Sequence, residues 1–163
     1  MEKIRINSSH PEDKLPQVFI DYAHTPDGLK NVLQVIRQFS KGKLITVFGC
    51  GGDRDSTKRP KMGSIAENFS DFIFITSDNP RTENPKKIIN DILCGIKNKK
   101  NIIVEIDRFK AIQKAIDFAK EEDIVLIAGK GHEDYQILSD KIISFNDKEI
   151  AKDFLKKRQK KNQ

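Results

Sequence analysis

The sequence predicts an α/β domain with a mostly parallel sheet and helices on both faces. Short apolar runs alternate with segments of helical periodicity along the chain. The apolar runs are continuous and lack the alternation of a half-exposed strand, so both faces of the sheet are expected to be buried. The length of 163 residues suits a single domain.

The order of the elements follows from the apolar runs and from residues that favour helix starts. The first helix is predicted to begin at Thr25, which can cap it, while Pro26 and Asp27 suit a first turn. Asp107 and Asp147 are predicted to cap two later helices. The predicted strands cover residues 18–21, 44–48, 72–76, 102–105 and 124–128, the helices cover 25–36, 62–69, 85–96, 107–119 and 147–155, and a hairpin covers 135–138 and 141–145.

Charge and composition divide the chain into three parts. Residues 1–16 are polar and are predicted to be a linker or end strand from a preceding domain, residues 17–155 form the domain, and residues 156–163 form a basic tail. The net charge is +6, yet the tail holds five basic residues and no acidic one, so the rest carries 25 basic against 24 acidic residues. A nearly neutral body argues against nucleic-acid binding.

Other composition features exclude several classes of protein. No apolar run approaches the ~20 residues of a membrane span, and the start has no apolar secretory segment. Cys50 and Cys94 form no C-x-x-C pair, and no cluster of metal ligands is evident. We therefore expect a cytoplasmic protein with no membrane partner, no nucleic-acid partner and no metal of its own.

Residues suited to ligand binding collect after four predicted strands. In an open parallel sheet, ligands bind outside the carboxyl ends of the strands. Arg54, Arg59 and Arg81 offer planar forks for carboxylates, Glu133 can hold an ammonium, and Asn79 can donate and accept. The sequence therefore predicts a site for an amino acid with more than one carboxylate, in the loops at residues 21–24, 49–55, 78–81 and 129–133.

Taken singly, these residues also have structural interpretations. The loop at residues 78–81 could be a simple turn, and Arg54 could pair with a surface neighbour. His24 could cap a helix or lie in the core. Lys130 could meet a phosphate or be solvated. The triphosphate-binding pattern G-x-x-x-x-G-K-[ST] does not occur in the chain.

Five segments of the chain have a distinctive sequence: residues 21–27 (DYAHTPD), 47–55 (VFGCGGDRD), 58–60 (KRP), 78–83 (DNPRTE) and 128–135 (AGKGHEDY). Together they resemble the Mur ligases, and among these the members that add meso-diaminopimelate. The resemblance runs from about Gln17 to Leu155 and implies a Rossmann-like C-terminal domain with a sheet of about six strands. Family enzymes carry a UDP-substrate domain and an ATPase domain before this one.

The resemblance implies an ATP-dependent, amide-forming ligase of peptidoglycan synthesis. Its substrates would be meso-diaminopimelate and UDP-N-acetylmuramoyl-L-alanyl-D-glutamate, with ATP and Mg²⁺ held through the other two domains. This domain alone is expected to bind neither ATP nor Mg²⁺, to be inactive and to supply no catalytic residue. The implied diaminopimelate contacts are Arg54, Asp78, Asn79, Pro80, Arg81, Gly129 and Glu133, and Asp21 and His24 are implied to approach the nucleotide.

Two alternatives stay open at this point. A related ligase could add lysine or ornithine, although family members that add lysine depart from the Asp-Asn-Pro-Arg motif kept at residues 78–81. A buried arginine placed for the extra carboxylate of diaminopimelate would be left unpaired by lysine. The second alternative is a non-catalytic binding module that uses the basic tail to bind nucleic acid or an anionic membrane.

Overall fold

The chain forms a six-stranded sheet, a separate hairpin and five helices in a computed structural model that describes residues 1–6 and 14–162. The strands are β1 (Glu2–Lys3), β2 (Gln17–Asp21), β3 (Leu44–Phe48), β4 (Phe72–Ile75), β5 (Ile102–Val104), β6 (Ile124–Ala128), β7 (Tyr135–Leu138) and β8 (Lys141–Ser144). The helices are α1 (Pro26–Phe39), α2 (Lys58–Phe69), α3 (Pro85–Leu93), α4 (Arg108–Phe118) and α5 (Asp147–Asn162).

The large sheet is mostly parallel and has the strand order β1-β2-β6-β3-β4-β5. Only β1 is antiparallel to its neighbour β2, and β7 pairs with β8 in the predicted hairpin. The predicted α/β class and the sheet of about six strands are confirmed. The division at residues 1–16, 17–155 and 156–163 stays a prediction, and residues 7–13 of its first part lie outside the described residues.

The sheet packs against helices on both faces through two apolar cores, one on each face. All five residues of β6 are buried, and its side chains alternate between the cores. Ile124 and Leu126 pack with α1, α2 and α3, whereas Val125 and Ile127 pack with α4 and α5. This burial on both faces explains why the central strands read as continuous apolar runs.

Several helix boundaries differ from the prediction, and the largest differences are at the start of α2 and the end of α5. Helix α2 begins at Lys58, earlier than the predicted residue 62, and it contains Pro60 in its first turn. Proline is tolerated there because the first backbone N–H groups of a helix have no partner inside the helix. At the other end of the chain, α5 continues beyond the predicted Leu155 to Asn162, so most of the basic tail is helical.

The start of α5 is organised differently from the prediction. Asn146 caps it, since its side-chain oxygen accepts from the backbone N–H groups of Lys148 and Glu149 at 3.0 and 3.1 Å. Asp147, the predicted cap, is fully buried and forms an ion pair with Arg108, with Nη2–Oδ2 and Nε–Oδ1 distances of 2.7 and 2.9 Å. Burial alone lowers the pKa of Arg108, but the charge and hydrogen bonds of Asp147 raise it above its usual value.

The buried Arg108 also joins the carboxyl ends of two strands. Its guanidinium donates to the carbonyl oxygens of Ser77, after β4, and Ala128, at the end of β6, at 3.3 and 3.0 Å. Both carbonyls directly precede loops that were predicted to bind a ligand. The ion pair of Arg108 and Asp147 therefore holds the backbone at the start of both loops in place.

We expect Arg108→Met to lower the free energy of unfolding by about 3–5 kcal/mol, because Asp147 would stay buried without its partner. Lys148→Met is the matched control. It removes an exposed pair with Glu2, and we expect the free energy of unfolding to change little. Urea unfolding followed by circular dichroism measures both, and equal small losses would contradict the structural role of Arg108.

Candidate functional site

A cleft of about 530 Å³ opens at the carboxyl ends of β2, β3, β4 and β6. Each of the four loops predicted to carry ligand-binding residues contributes to its wall, as expected for an open parallel sheet. The lining residues are Tyr22, His24, Thr25, Gly51, Arg54, Asp55, Lys58, Asp78, Asn79, Arg81, Gly129, Glu133 and Tyr135.

The loop after β3 packs tightly on the loop after β4. A Cβ atom added at Gly52 would lie 1.9 Å from the carbonyl oxygen of Pro80, so only glycine allows this approach. The backbone N–H of Gly52 donates to the carbonyl oxygen of Asn79 at 2.9 Å. Pro80 does not line the cleft, and its part in the structure is to shape this contact.

The hairpin strand β7 lies along the loop after β4 and supports it. Gln136 donates from its side chain to the carbonyl oxygen of Asp78 at 2.7 Å, and the backbone N–H of Ile137 donates to Asn79 Oδ1 at 3.0 Å. The backbone N–H of Arg81 in turn donates to the carbonyl oxygen of Ile137 at 3.2 Å. This support was not predicted from the sequence, because the partners lie more than fifty residues apart.

The two arginines predicted at the ligand keep most of their donors free. Arg81, at a φ of 53°, donates from Nη1 to the carbonyl oxygens of Gly52 and Asn79 at 2.9 and 3.3 Å. Its Nη2 and Nε have no partner among the described residues. Arg54 is exposed, and within residues 1–6 and 14–162 it donates only to the carbonyl oxygen of Asp53, at 3.2 Å. Both guanidinium groups therefore have donors that remain available to a carboxylate.

Arg59 is the exception among the predicted carboxylate ligands, and the prediction for it is wrong. Its side chain is fully buried and pairs with Glu83 at 2.8 and 3.0 Å and with Asp91 at 2.8 Å. It also donates to the carbonyl oxygen of Gly51 at 3.2 Å. Hydrogen bonding by Arg59 lowers the pKa of Glu83 to about 2. The guanidinium thus joins two loops and α3, and it is not available to a ligand.

Lys130 is likewise neither solvated nor exposed to a phosphate. Its side chain is fully buried, and its ammonium lies 3.1 Å from Asn79 Oδ1 and 3.0 Å from Glu133 Oε2. Asn79 Nδ2 donates to the same carboxylate oxygen at 3.1 Å. Glu133 reaches the cleft wall from this network, and the residues of the network come from the loops after β4 and β6.

The remaining predicted residues fall into two groups. Asp78 and Gly129 line the cleft, and the φ of 114° at Gly129 brings its backbone close to the Asp78 carboxylate, where a Cβ would lie 2.7 Å from Oδ2. His24 lies exposed at the mouth, with Nδ1 2.9 Å from the carbonyl oxygen of Tyr22. Asp21 does not line the cleft, and its Oδ1 accepts from the backbone N–H of Ala23 at 2.8 Å.

Six residues of the cleft were not individually predicted to contact a ligand. Lys58 lies in a segment that carried the family resemblance, which was a usable signal, and its ammonium donates to the carbonyl oxygen of His24 at 2.7 Å. When Lys58 is counted, the cleft is lined by three cationic side chains (Arg54, Lys58 and Arg81) and three anionic ones (Asp55, Asp78 and Glu133), so its charges balance. The six residues are Tyr22, Thr25, Gly51, Asp55, Lys58 and Tyr135.

Other chemistries have little support in the described part of the chain. Among residues 1–6 and 14–162, no group of three or more His, Cys, Asp or Glu side chains is placed to hold a metal ion. No helix in these ranges is long and apolar enough to cross a membrane. Cys50 is buried, and burial raises the pKa of its thiol to about 12, which does not suit a nucleophile.

Comparison with known proteins identifies relatives of this chain. Residues 5–131 match the family model described as "Mur ligase, glutamate ligase domain". The chain is 65% identical over 160 residues to the UDP-N-acetylmuramoyl-L-alanyl-D-glutamate–2,6-diaminopimelate ligase of Prochlorococcus marinus subsp. pastoris, covering 98% of this chain and 31% of that protein. It is 58% identical over 139 residues to the ligase of the same name from Clostridium botulinum, covering 85% of this chain and 29% of that protein.

Solved structures give the same picture of the fold. A structure of a UDP-N-acetylmuramoyl-L-alanyl-D-glutamate–2,6-diaminopimelate ligase superposes with a TM-score of 0.87 at 38% identity, covering 97% of this chain and 31% of that one. The structure of Escherichia coli FolC in complex with ADP superposes with a TM-score of 0.56 at 17% identity. The match covers 94% of this chain and 32% of FolC, and at this identity it shows a similar fold alone. The chain thus spans about a third of the length of the relatives it matches.

Proposed function

Because this chain belongs to the Mur ligase family, whose glutamate ligase domain it matches, we propose that it is the amino-acid-binding domain of a peptidoglycan ligase. The enzyme would use ATP to add meso-diaminopimelate to UDP-N-acetylmuramoyl-L-alanyl-D-glutamate. Support for the substrate comes from the names of the relatives, among them one that is 65% identical. It also comes from the chemistry of the cleft.

The observation that carries this proposal is the charge balance of the cleft. Arg54, Lys58 and Arg81 face the same space as Asp55, Asp78 and Glu133, which are their acidic counterparts. Meso-diaminopimelate carries an ammonium and a carboxylate at each of its ends, so it can pair with both kinds of side chain. Lysine lacks one carboxylate and would leave one cation of the cleft without a partner.

We assign the ligand contacts according to which donors and acceptors are free. Arg81 and Arg54 bind carboxylates through their unpaired guanidinium nitrogens. Asp78, whose carboxylate has no hydrogen-bond partner among the described residues, and Glu133 bind ammonium groups. Asn79 orients Glu133 and the loop, while Pro80 and Gly129 fix the backbone around the ligand.

The rest of the proposed reaction is assigned to the other two domains of a Mur ligase, which are the UDP-substrate domain and the ATPase domain. There ATP would transfer its terminal phosphoryl group to the side-chain carboxylate of D-glutamate, giving an acyl phosphate and ADP, and Mg²⁺ would be held by those domains. The amine of diaminopimelate attacks the acyl carbon, phosphate leaves, and the nitrogen loses a proton as the amide forms. In this proposal Asp21 and His24 are assigned to the side of the domain that approaches the nucleotide, and the reaction is assigned to the cytoplasm, where ATP is available.

A chimera tests this function directly. The matching 160 residues of the Prochlorococcus ligase are replaced by this chain, and phosphate release is measured with ATP, the UDP-dipeptide and an amino acid. We expect activity with meso-diaminopimelate and far less with lysine or ornithine. The isolated chain should give none. Activity of the isolated chain, or a preference for lysine in the chimera, would contradict the proposal.

Arg81→Leu in the chimera is expected to raise the KM for meso-diaminopimelate by about 30-fold or more, because a buried carboxylate of the ligand loses its partner. The KM for lysine should change far less, so selectivity between the two amino acids falls. Arg37→Leu is the control, since Arg37 pairs with Asp71 near the start of β4, away from the cleft. An unchanged ratio of the two KM values would overturn the role of Arg81.

A further inference from the structure

The ammonium of Lys130 is held inside the protein. It donates to Asn79 Oδ1 at 3.1 Å and to Glu133 Oε2 at 3.0 Å. It also lies 5.4 Å from the centroid of the Tyr135 ring, within the range of a cation–π contact. The side chain is fully buried, so the ammonium is not exposed to a phosphate or to a carboxylate of a ligand.

The two oxygens of Glu133 differ sharply as a result. Oε2 accepts from both Lys130 Nζ and Asn79 Nδ2, at 3.0 and 3.1 Å. Oε1 has no hydrogen-bond partner among the described residues, and the side chain is 18% exposed in the wall of the cleft. One oxygen is therefore held by the protein while the other is free to accept from a ligand.

Asn79 cannot hold this carboxylate alone. Its Oδ1 already accepts from the backbone N–H of Ile137 as well as from Lys130, so the carboxamide is fixed to β7 and can donate only through Nδ2. A single hydrogen bond from the carboxamide leaves the carboxylate free to rotate about its last torsion. A second bond, from an ammonium that is itself fixed and charged, restricts that rotation.

We propose that Lys130 is a positioning residue for amino-acid recognition, which acts by clamping Oε2 of Glu133 so that Oε1 faces the ammonium of the bound amino acid. This inference rests on the proposed function. Lys130 contacts neither the ligand nor the phosphate groups of ATP. Its effect on the substrate passes through Glu133, which it contacts both directly and by way of Asn79.

A double-mutant cycle in the chimera tests this dependence. Lys130→Met is expected to raise the KM for meso-diaminopimelate by about 10-fold or more, because Oε2 loses its charged partner. The KM values for ATP and the UDP-dipeptide should not change, and kcat should fall by a smaller factor than KM rises. Lys141→Met, on the exposed strand β8 of the hairpin, is the matched control and should leave all constants unchanged.

The decisive comparison is between Glu133→Ala and the double variant Lys130→Met/Glu133→Ala, since alanine leaves no oxygen for Lys130 to hold. If Lys130 acts through Glu133, the two have the same KM for meso-diaminopimelate. A further rise in the double variant overturns the inference. The comparison holds even if Lys130→Met alone fails to fold, since the double variant leaves no unpaired charge of this pair.

Failure of this inference is distinguishable from failure of the proposed function. An inactive chimera with the native sequence of this chain would contradict the function itself. An active chimera in which the effects of the two substitutions multiply would contradict only the role of Lys130. An active chimera in which Lys130→Met has no effect would do the same.

Discussion

The cleft depends on one constraint, which is that a cation removed from water must be paired. Three cationic side chains, Arg59, Arg108 and Lys130, are almost completely buried behind its walls. Each is paired with an acidic side chain and bridges different parts of the chain. Arg59 joins the loops after β3 and β4 to α3, Arg108 joins the ends of β4 and β6 to α5, and Lys130 joins the loops after β6 and β4. The loops are thereby held together before any ligand binds.

These buried cations differ in role from the cations that face the cleft. Arg59, in the first turn of α2, and Arg81, in the loop after β4, have the same side chain, yet their surroundings differ. Arg59 is enclosed by Glu83, Asp91 and a backbone carbonyl, whereas Arg81 uses one nitrogen on the backbone and keeps two without partners among the described residues. Rigid support with a few free donors is the arrangement expected of a site that selects one amino acid over a close analogue.

Much of the fold was predictable because the signals for it are local. Continuous apolar runs gave the central strands, and the rule that ligands bind at the carboxyl ends of parallel strands placed four loops at one edge. The roles of Arg59 and Lys130 were not predictable in this way. The partners of Arg59 lie 24 and 32 residues away, and Lys130 meets Asn79 at a separation of 51 residues, so the residue types alone could not distinguish a structural cation from a ligand contact. The extension of α5 escaped prediction because a run of lysines is as compatible with a helix as with a solvated tail.

The most direct test is to follow the backbone amide resonances of this chain by NMR while meso-diaminopimelate is added. Weak binding suffices for this measurement, because exchange-averaged shifts report contacts even at millimolar affinity. The predicted result is a set of saturable shifts confined to residues 22–25, 51–58, 78–81 and 129–135, with smaller or no shifts on adding lysine. Saturable shifts centred elsewhere, or equal responses to the two amino acids, would contradict the assignment of the cleft as the diaminopimelate site.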